Sequence, residues 1–215
     1  MSIIQILGPF NSGTNLLARI LRDTSHLDSD DNIFIEPVGS TIIWKHSIEY
    51  NLIRYICNMK NTIIFIMYRD PFLWINSMIK KSYDIRNFKK LNSKISFRNY
   101  KYKNIIKLYN HYYDTYMSII KKNNNVVWID YCKLVDKNNS YDYIQEKIKS
   151  VNLKLNSKNK LLYYLNTPAK HHGDSVKTSE VALKKCKEIE LLFSKTDKDY
   201  INKYLDPEIQ NFFLT

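Results

Sequence analysis

The segment Gly8-Pro9-Phe10-Asn11-Ser12-Gly13-Thr14-Asn15 is the first part of the chain whose residue types and spacing suit chemistry. It follows a short apolar run, Ser2 to Leu7, and precedes apolar residues at helical spacing. A turn from strand to helix points backbone N–H groups and the positive end of the helix dipole at one spot, and glycine lets an anion approach closely. We expect residues 11 to 15 to bind a phosphate-like group. The alternative is a tight turn in which Ser12 or Thr14 caps the helix.

A second group of residues follows the apolar run Thr62 to Tyr68. Arg69 stands where a strand would end, Asp70-Pro71 would open a helix, and Ser77 lies inside that helix. Ligands of open α/β sheets gather at this edge, and the planar fork of arginine suits a terminal phosphate. We expect Arg69 and Ser77 to bind such a phosphate. The alternative is an ordinary helix start, with Asp70 as cap, Pro71 in the first turn and Arg69 in a surface ion pair.

Together the two segments resemble the PAPS-dependent sulfotransferase superfamily. Its 5′-phosphosulfate loop is commonly proline, then Lys or Arg, then Ser-Gly-Thr, as in Ser12-Gly13-Thr14. Its 3′-phosphate site has an arginine, an acidic or amide residue, a proline and a serine eight positions after the arginine, an order that Arg69 to Ser77 reproduces. The resemblance covers Ile3 to Leu134. It implies a P-loop NTPase-like fold that binds 3′-phosphoadenosine 5′-phosphosulfate (PAPS), releases adenosine 3′,5′-bisphosphate and requires no metal.

The chain departs from the family at Asn11, which stands where the resemblance would place the Lys or Arg that braces the leaving oxygen. Loss of one such donor costs about 2.7 to 4 kcal/mol of transition-state stabilisation, so Asn11 or a lysine from elsewhere would have to replace it. A non-catalytic nucleotide-binding module is therefore one alternative. A kinase-like phosphoryl transferase is another, but Thr14 and Asn15 replace the Lys and the Ser or Thr of a Walker A loop.

The acceptor would be a hydroxyl of a sugar, a phenol, or another small molecule or glycan, and the sequence does not choose among them. In Trp44-Lys45-His46 the pair Lys45 and His46 resembles the cluster that supplies the general base in cytosolic members, where one residue separates the two. Glu36 is the competing candidate, because carbohydrate-type members place a glutamate after the second strand region. A base with a pKa near neutrality contributes about 100- to 10,000-fold.

A late polar segment, Lys170-His171-His172-Gly173-Asp174, contains the last glycine of the chain. The family often closes a basic, glycine-containing loop over the nucleotide, and the resemblance assigns that role to Lys170, His172 and Gly173. Adjacent histidines rarely bind one metal together, and no other ligands follow at metal spacing, so we expect no metal site.

The elements that would position these residues alternate along the chain. Besides Ser2 to Leu7 and Thr62 to Tyr68, buried strands are predicted over Thr41 to Trp44 and Val126 to Ile129, with a weaker one over Asn32 to Ile35. The helical patterns between them are Asn15 to Asp23, Ser47 to Met59, Phe72 to Ser82, Asn99 to Lys122 and Tyr141 to Val151. The alternation predicts an α/β fold, a three-layer α/β/α sandwich with a central parallel sheet of four or five strands.

The remaining expectations come from composition. A length of 215 residues suits one domain, spanning 1–215, and the Lys- and Asn-rich stretch Lys80 to Lys103 reads as a solvent-facing excursion or mobile flap. Three cysteines without a CxxC spacing suggest neither a disulfide framework nor a zinc site. The net charge of +12 suits a charged nucleotide as partner, and we expect no specific nucleic acid. No apolar run is long enough to span a membrane, so we expect a soluble, cytoplasmic protein.

Overall fold

The computed structural model describes residues 3–27, 34–35, 44–120, 125–167 and 179–214. Within these ranges the strands form one sheet of four strands and two small antiparallel pairs. The strands are β1 (Ile3–Leu7), β2 (Thr24–His26), β3 (Phe34–Ile35), β4 (Thr62–Tyr68), β5 (Ile95–Phe97), β6 (Tyr100–Tyr102), β7 (Val126–Asp130) and β8 (Leu153–Leu155).

Helices connect the strands and complete the C-terminal part of the chain. They are α1 (Thr14–Leu21), α2 (Tyr50–Cys57), α3 (Pro71–Lys80), α4 (Ile105–Ile120), α5 (Tyr131–Val135), α6 (Ser140–Lys149), α7 (Lys158–Asn166), α8 (Ser179–Glu188), α9 (Lys195–Tyr204) and α10 (Pro207–Leu214), with a 3-10 helix at Ile189–Leu192. In the described part of the chain, no helix is long and apolar enough to cross a membrane.

The four-stranded sheet is parallel, in the order β3-β1-β4-β7, and helices cover both faces. Along β4 the side chains alternate between two apolar clusters: Ile64 and Ile66 pack with α2, α3 and α4, while Ile63, Phe65 and Met67 pack with α1, α6 and α7. A strand buried on both faces reads as a continuous apolar run, which is why these segments were recognisable as strands. The predicted α/β class with a helix-covered parallel sheet is confirmed.

The chain reverses its direction across the sheet between β1 and β4. From β1 it passes to β3 on one side, and from β4 it passes to β7 on the other, although β1 and β4 are neighbours. Connections that leave in opposite directions open a crevice at the carboxyl ends of the two strands, where ligands of open α/β sheets bind. The segments that begin at Gly8 and Arg69 both start at this crevice.

Two predicted strands are only partly described. The weak strand over Asn32 to Ile35 exists as β3, which pairs with β1. Of Thr41 to Trp44, only Trp44 lies within the described residues, and it is not in a strand.

The stretch Lys80 to Lys103, predicted to be a solvent-facing excursion or mobile flap, is largely exposed but is anchored to the core. The segment contains the antiparallel pair β5 and β6, and its Ile85, Ile95 and Phe97 are buried in the same cluster as α3 and α4. The reason is that a few apolar residues at alternate positions suffice to anchor a short hairpin, even when lysine and asparagine dominate the composition.

The expectation that no disulfide forms is also wrong. Cys132 in α5 and Cys186 in α8 are joined by a disulfide bond, with their Cα atoms 5.8 Å apart. The two cysteines are 54 positions apart in the sequence, so their spacing says nothing about the packing of α8 on α5 that brings them together.

Candidate functional site

The turn after β1 presents the start of α1 without a side-chain cap. Gly13 is the residue before the helix, and among the described residues no side chain accepts a hydrogen bond from the first helical N–H groups. The alternative reading, in which Ser12 or Thr14 caps this helix, is therefore not what the structure shows. An uncapped helix start leaves backbone donors and the positive end of the helix dipole directed at the crevice.

The turn also depends on glycine at position 13. Gly13 has a φ of 98°, and a Cβ there would lie 2.7 Å from the ring of Tyr131. Because side chains rarely adopt this φ and because Tyr131 follows β7 directly, a larger residue would push the turn and α5 apart. Gly13 thus lets the turn and Tyr131 lie in contact.

Ser12 contributes a buried hydroxyl to the same turn. Its side chain is fully buried, and its Oγ has no hydrogen-bond partner among the described residues. An unsatisfied buried hydroxyl costs about 1 to 3 kcal/mol, so a folded protein retains one where it serves a purpose or where a ligand completes it. Other buried side chains, such as Ser140, also have a polar atom without a partner. The unpartnered Ser12 hydroxyl therefore supports anion binding only in combination with Arg69.

Arg69 sits at the carboxyl end of β4 with its backbone held by two tyrosines of α4. The Tyr113 hydroxyl accepts a hydrogen bond from the Arg69 N–H at 3.2 Å, and the Tyr109 hydroxyl donates to the Arg69 carbonyl at 2.8 Å. Its guanidinium donates to the carbonyl oxygen of Asn11 and lies 4.6 Å from the ring centre of Tyr131. One residue therefore ties the two segments predicted from the sequence together.

The Arg69 guanidinium has donors left over. Among the described residues, its buried Nε has no hydrogen-bond partner and no carboxylate forms a salt bridge with the guanidinium. Burial lowers the pKa of Arg69 from its usual value, but arginine stays charged in proteins. A buried cation without a counter-ion is costly, and an anionic ligand would remove that cost.

A pocket opens beside Arg69 along one side of α3. Asp70 caps this helix by accepting from the Leu73 N–H at 3.0 Å, and Pro71 begins it, which is the helix start that the alternative interpretation of this segment describes. Ser77 lies half-buried in the pocket and donates to the Leu73 carbonyl at 3.0 Å. The pocket contains three cationic side chains and no acidic one, and is lined by Arg69, Leu73, Asn76, Ser77, Lys80, Tyr131, Ala182 and Lys185. This composition suits a phosphate or sulfate group.

Lys45 reaches the start of α1 from the other side. Its Nζ donates to Asn15 Oδ1 at 2.6 Å, and its carbonyl accepts from the Gly8 N–H at 2.9 Å. Burial lowers the pKa of Lys45 below its usual value. A lysine from outside the turn thus lies beside the residues that the sequence assigns to phosphosulfate binding.

His46 lies next to this lysine but inside the protein. Only 6% of the residue is exposed, its Nδ1 is 2.7 Å from the Gly8 carbonyl oxygen, and its ring packs on Phe10 at 4.4 Å. Because a carbonyl only accepts, Nδ1 carries the proton in this bond. Burial lowers the pKa of His46 to about 4, which makes the imidazole neutral but a poor base. This environment favours a role in positioning the turn over the predicted role of general base.

The other candidates from the sequence lie outside the described residues. These are Glu36, the alternative base, and Lys170, His172 and Gly173 of the late loop. The structure adds three residues that the sequence did not single out: Tyr131, Lys80 and Lys185. Tyr131 follows a predicted strand and so had a weak signal, whereas nothing in the sequence marks Lys185 among the many lysines.

No protein-family model matches this sequence, and a search of curated proteins finds no match either.

Ser12 offers a direct test of anion binding at the turn. Because its hydroxyl has no partner, we expect Ser12→Ala to keep the free energy of unfolding within about 0.5 kcal/mol of the original value, while anion affinity falls about three- to tenfold. Denaturant unfolding and calorimetry with pyrophosphate measure the two quantities. Ser140→Ala is the matched control, since Ser140 is equally buried and unpartnered but begins α6. Unchanged affinity in Ser12→Ala would contradict the assignment.

Proposed function

We propose that the protein binds 3′-phosphoadenosine 5′-phosphosulfate and transfers its sulfuryl group to a hydroxyl acceptor, in a P-loop NTPase-like sulfotransferase fold. The observation that carries the proposal is the hydrogen bond from the Arg69 guanidinium to the Asn11 carbonyl. It brings a turn suited to a phosphosulfate next to a cationic pocket suited to a second phosphate. A nucleotide with phosphates on both its 3′ and 5′ positions needs two anion sites close together.

In this proposal the two anion sites divide the nucleotide between them. The turn from Asn11 to Asn15 holds the 5′-phosphosulfate through backbone N–H groups, and Arg69 and Ser77 hold the 3′-phosphate. The unpartnered Ser12 Oγ and Arg69 Nε fit such a ligand, because each has hydrogen-bonding capacity that the described residues do not use. The bound nucleotide supplies the sulfuryl group.

Lys45 supplies the positive charge that the family has at the position of Asn11. The transferred group is a charge-spread SO₃, and the bond from sulfur to the 5′-phosphate oxygen breaks as the bond to the acceptor oxygen forms. A fixed cation near the breaking bond stabilises the charge that collects on the leaving oxygen. The Nζ of Lys45 lies at the start of α1, held by Asn15, and is the described lysine best placed for this.

A general base must take the proton of the acceptor hydroxyl, and the two candidates, His46 and Glu36, no longer have equal support. His46 is buried with a pKa of about 4, so its place in the proposal is to hold Gly8. Glu36, the other candidate, remains the proposed base. The acceptor is a hydroxyl of a small molecule or glycan.

A second candidate function is a non-catalytic module that binds the nucleotide and does not turn it over. The burial of His46 and the asparagine at position 11 favour it, because each removes a group that a sulfotransferase of the usual type would use. Such a module would have the same nucleotide-binding site but would not transfer the sulfuryl group.

Calorimetry and a product assay test the proposal together. We expect adenosine 3′,5′-bisphosphate to bind at least tenfold more tightly than AMP or ATP with Mg²⁺, since one extra charge-assisted contact is worth about 1.5 to 3 kcal/mol. Release of the bisphosphate from PAPS, with water or a panel of sugars and phenols as acceptor, measures turnover. Equal affinity for AMP and the bisphosphate would refute the binding site, and binding without release would favour the non-catalytic module.

A variant of His46 can distinguish a role in positioning the turn from a role as general base. We expect His46→Ala to lower the free energy of unfolding by about 2 to 4 kcal/mol and to weaken bisphosphate binding, because a buried ring and its bond to Gly8 are lost. Denaturant unfolding and calorimetry measure both. His111→Ala, at a half-buried histidine bonded to the Tyr102 hydroxyl, should lower stability and leave binding unchanged. A hundredfold loss of turnover in His46→Ala at unchanged bisphosphate affinity would return His46 to the role of base.

A further inference from the structure

Helix α8 supplies one wall of the cationic pocket. Ala182 and Lys185 face the pocket from α8, opposite Arg69, Ser77 and Lys80. Lys185 is half-buried, whereas Lys80 is exposed at the end of α3. Water therefore screens the charge of Lys185 less than that of Lys80, so Lys185 attracts an anion in the pocket more strongly.

Few of the side chains of α8 are buried. Of its side chains whose exposure is described, Ala182 alone is buried. Glu180 forms a salt bridge with Lys137 at 3.1 Å, but the Glu180 carboxylate is largely exposed, and ion pairs of this kind contribute little to stability. The strongest link is the disulfide between Cys186 and Cys132 of α5.

Both cysteines adjoin residues of the pocket. Cys132 follows Tyr131, whose ring lies over the Arg69 guanidinium, and Cys186 follows Lys185. The disulfide therefore links α8 to α5 beside Tyr131, the pocket residue whose ring lies against Arg69.

We propose that Lys185 is a second anion-binding cation of this pocket and that the Cys132–Cys186 disulfide holds it there, so that anion affinity depends on the redox state of the cysteine pair. The identity of the anion as the 3′-phosphate of adenosine 3′,5′-bisphosphate rests on the proposed function. The dependence on Lys185 and the disulfide rests on the pocket itself.

The redox step is an exchange with a dithiol. One thiolate of the dithiol attacks a sulfur of the Cys132–Cys186 bond, forms a mixed disulfide and releases the other cysteine as a thiolate. The second thiolate of the dithiol then attacks this mixed disulfide and releases the remaining cysteine, so that two electrons and two protons pass to the cysteines. The products are two cysteine thiols and the oxidised dithiol. Without the bond, α8 loses its covalent link to α5 and depends on noncovalent contacts, which include the burial of Ala182 and the Lys137–Glu180 pair. Lys185 is then held less firmly opposite Arg69.

Calorimetry on the full chain tests the proposal with two probes, adenosine 3′,5′-bisphosphate and pyrophosphate. The protein is first oxidised with glutathione disulfide or reduced with dithiothreitol, and thiol alkylation with mass spectrometry counts the free cysteines. We expect one free cysteine when oxidised and three when reduced. Reduction should weaken binding of both probes about tenfold, the effect of losing one charge-assisted contact. Three free cysteines in both states, or equal affinity in both states, would overturn the proposal.

Variants separate a change at the pocket from a loss of folding. In the oxidised protein, Lys185→Gln should weaken binding about tenfold, whereas Lys187→Gln, at an exposed lysine of the same helix, should not. Cys57→Ser should keep the redox dependence, because Cys57 is outside the disulfide and burial raises the pKa of its thiol to about 11. Unchanged affinity in Lys185→Gln would overturn the proposal even if the reduced protein unfolds.

The two probes also distinguish this proposal from the proposed function. Redox-dependent binding of pyrophosphate without binding of the bisphosphate would refute the nucleotide assignment and leave the role of Lys185 and the disulfide standing. Tight binding of the bisphosphate that is insensitive to reduction would do the reverse. If neither probe binds the oxidised protein, both proposals fail.

Discussion

Arg69→Gln is expected to weaken binding of adenosine 3′,5′-bisphosphate about a hundredfold, because two charge-assisted hydrogen bonds at about 1.5 kcal/mol each are lost. One holds the Asn11 carbonyl, and the other is the contact that we assign to the 3′-phosphate. AMP has no 3′-phosphate, so its affinity should fall much less, and the preference for the bisphosphate should disappear. Calorimetry with both nucleotides measures the two affinities.

The control for Arg69 is an exposed arginine outside the crevice. Arg54→Gln, in α2, removes the same charge from the protein and should leave both affinities unchanged. Arg69→Lys separates charge from geometry, because lysine keeps the cation but cannot contact Asn11 and a phosphate together. If Arg69→Gln still prefers the bisphosphate over AMP, the cationic pocket is not the 3′-phosphate site.

Lys45→Met is expected to lower release of the bisphosphate from PAPS about 100- to 1,000-fold, the usual effect of removing one preorganised donor at a developing charge. Bisphosphate affinity should change little, because the product lacks the sulfuryl group whose transfer the cation assists. The matched control is Lys60→Met, at an exposed lysine between α2 and β4. Lys45→Met with normal turnover would show that another group replaces the cation missing at position 11.

The pKa of Lys45 should also set the pH above which turnover falls. Burial lowers the pKa of Lys45, and the cation is present below that pKa and lost as the pH rises through it. We therefore expect turnover to fall on the alkaline side at a lower pH than a solvent-exposed lysine would give. Lys45→Arg, which stays charged throughout, should move this limit to higher pH.

The sheet was predictable because its central strands are buried on both faces. β1, β4 and β7 are continuous apolar runs, and the structure places them within two residues of the predicted bounds. The hairpin of β5 and β6 escaped prediction because only Ile95 and Phe97 mark it against a background of lysine and asparagine. A short strand anchored at two positions has too few residues to show a period of two clearly.

The site was predictable only in its local parts. Gly13 and the arginine at the end of β4 could be recognised, because a turn and a strand end are set by neighbouring residues. The contact of Arg69 with Asn11 depends on the pairing of β1 with β4, and Lys185 lines the pocket because α8 packs on α5. Sequence spacing carries no information on such long-range contacts, since tertiary packing alone creates them.

The hydrogen bond from the Trp74 indole to the Phe10 carbonyl, 2.7 Å long, gives the protein an optical reporter of its own binding turn. Trp74 is fully buried, and Phe10 directly precedes Asn11. The sequence contains three tryptophans, so Trp44→Phe and Trp128→Phe would leave Trp74 as the single tryptophan, which can be excited apart from the tyrosines. A ligand that shifts the turn changes the hydrogen bonding of that indole, and its fluorescence then follows occupancy in real time without any attached dye.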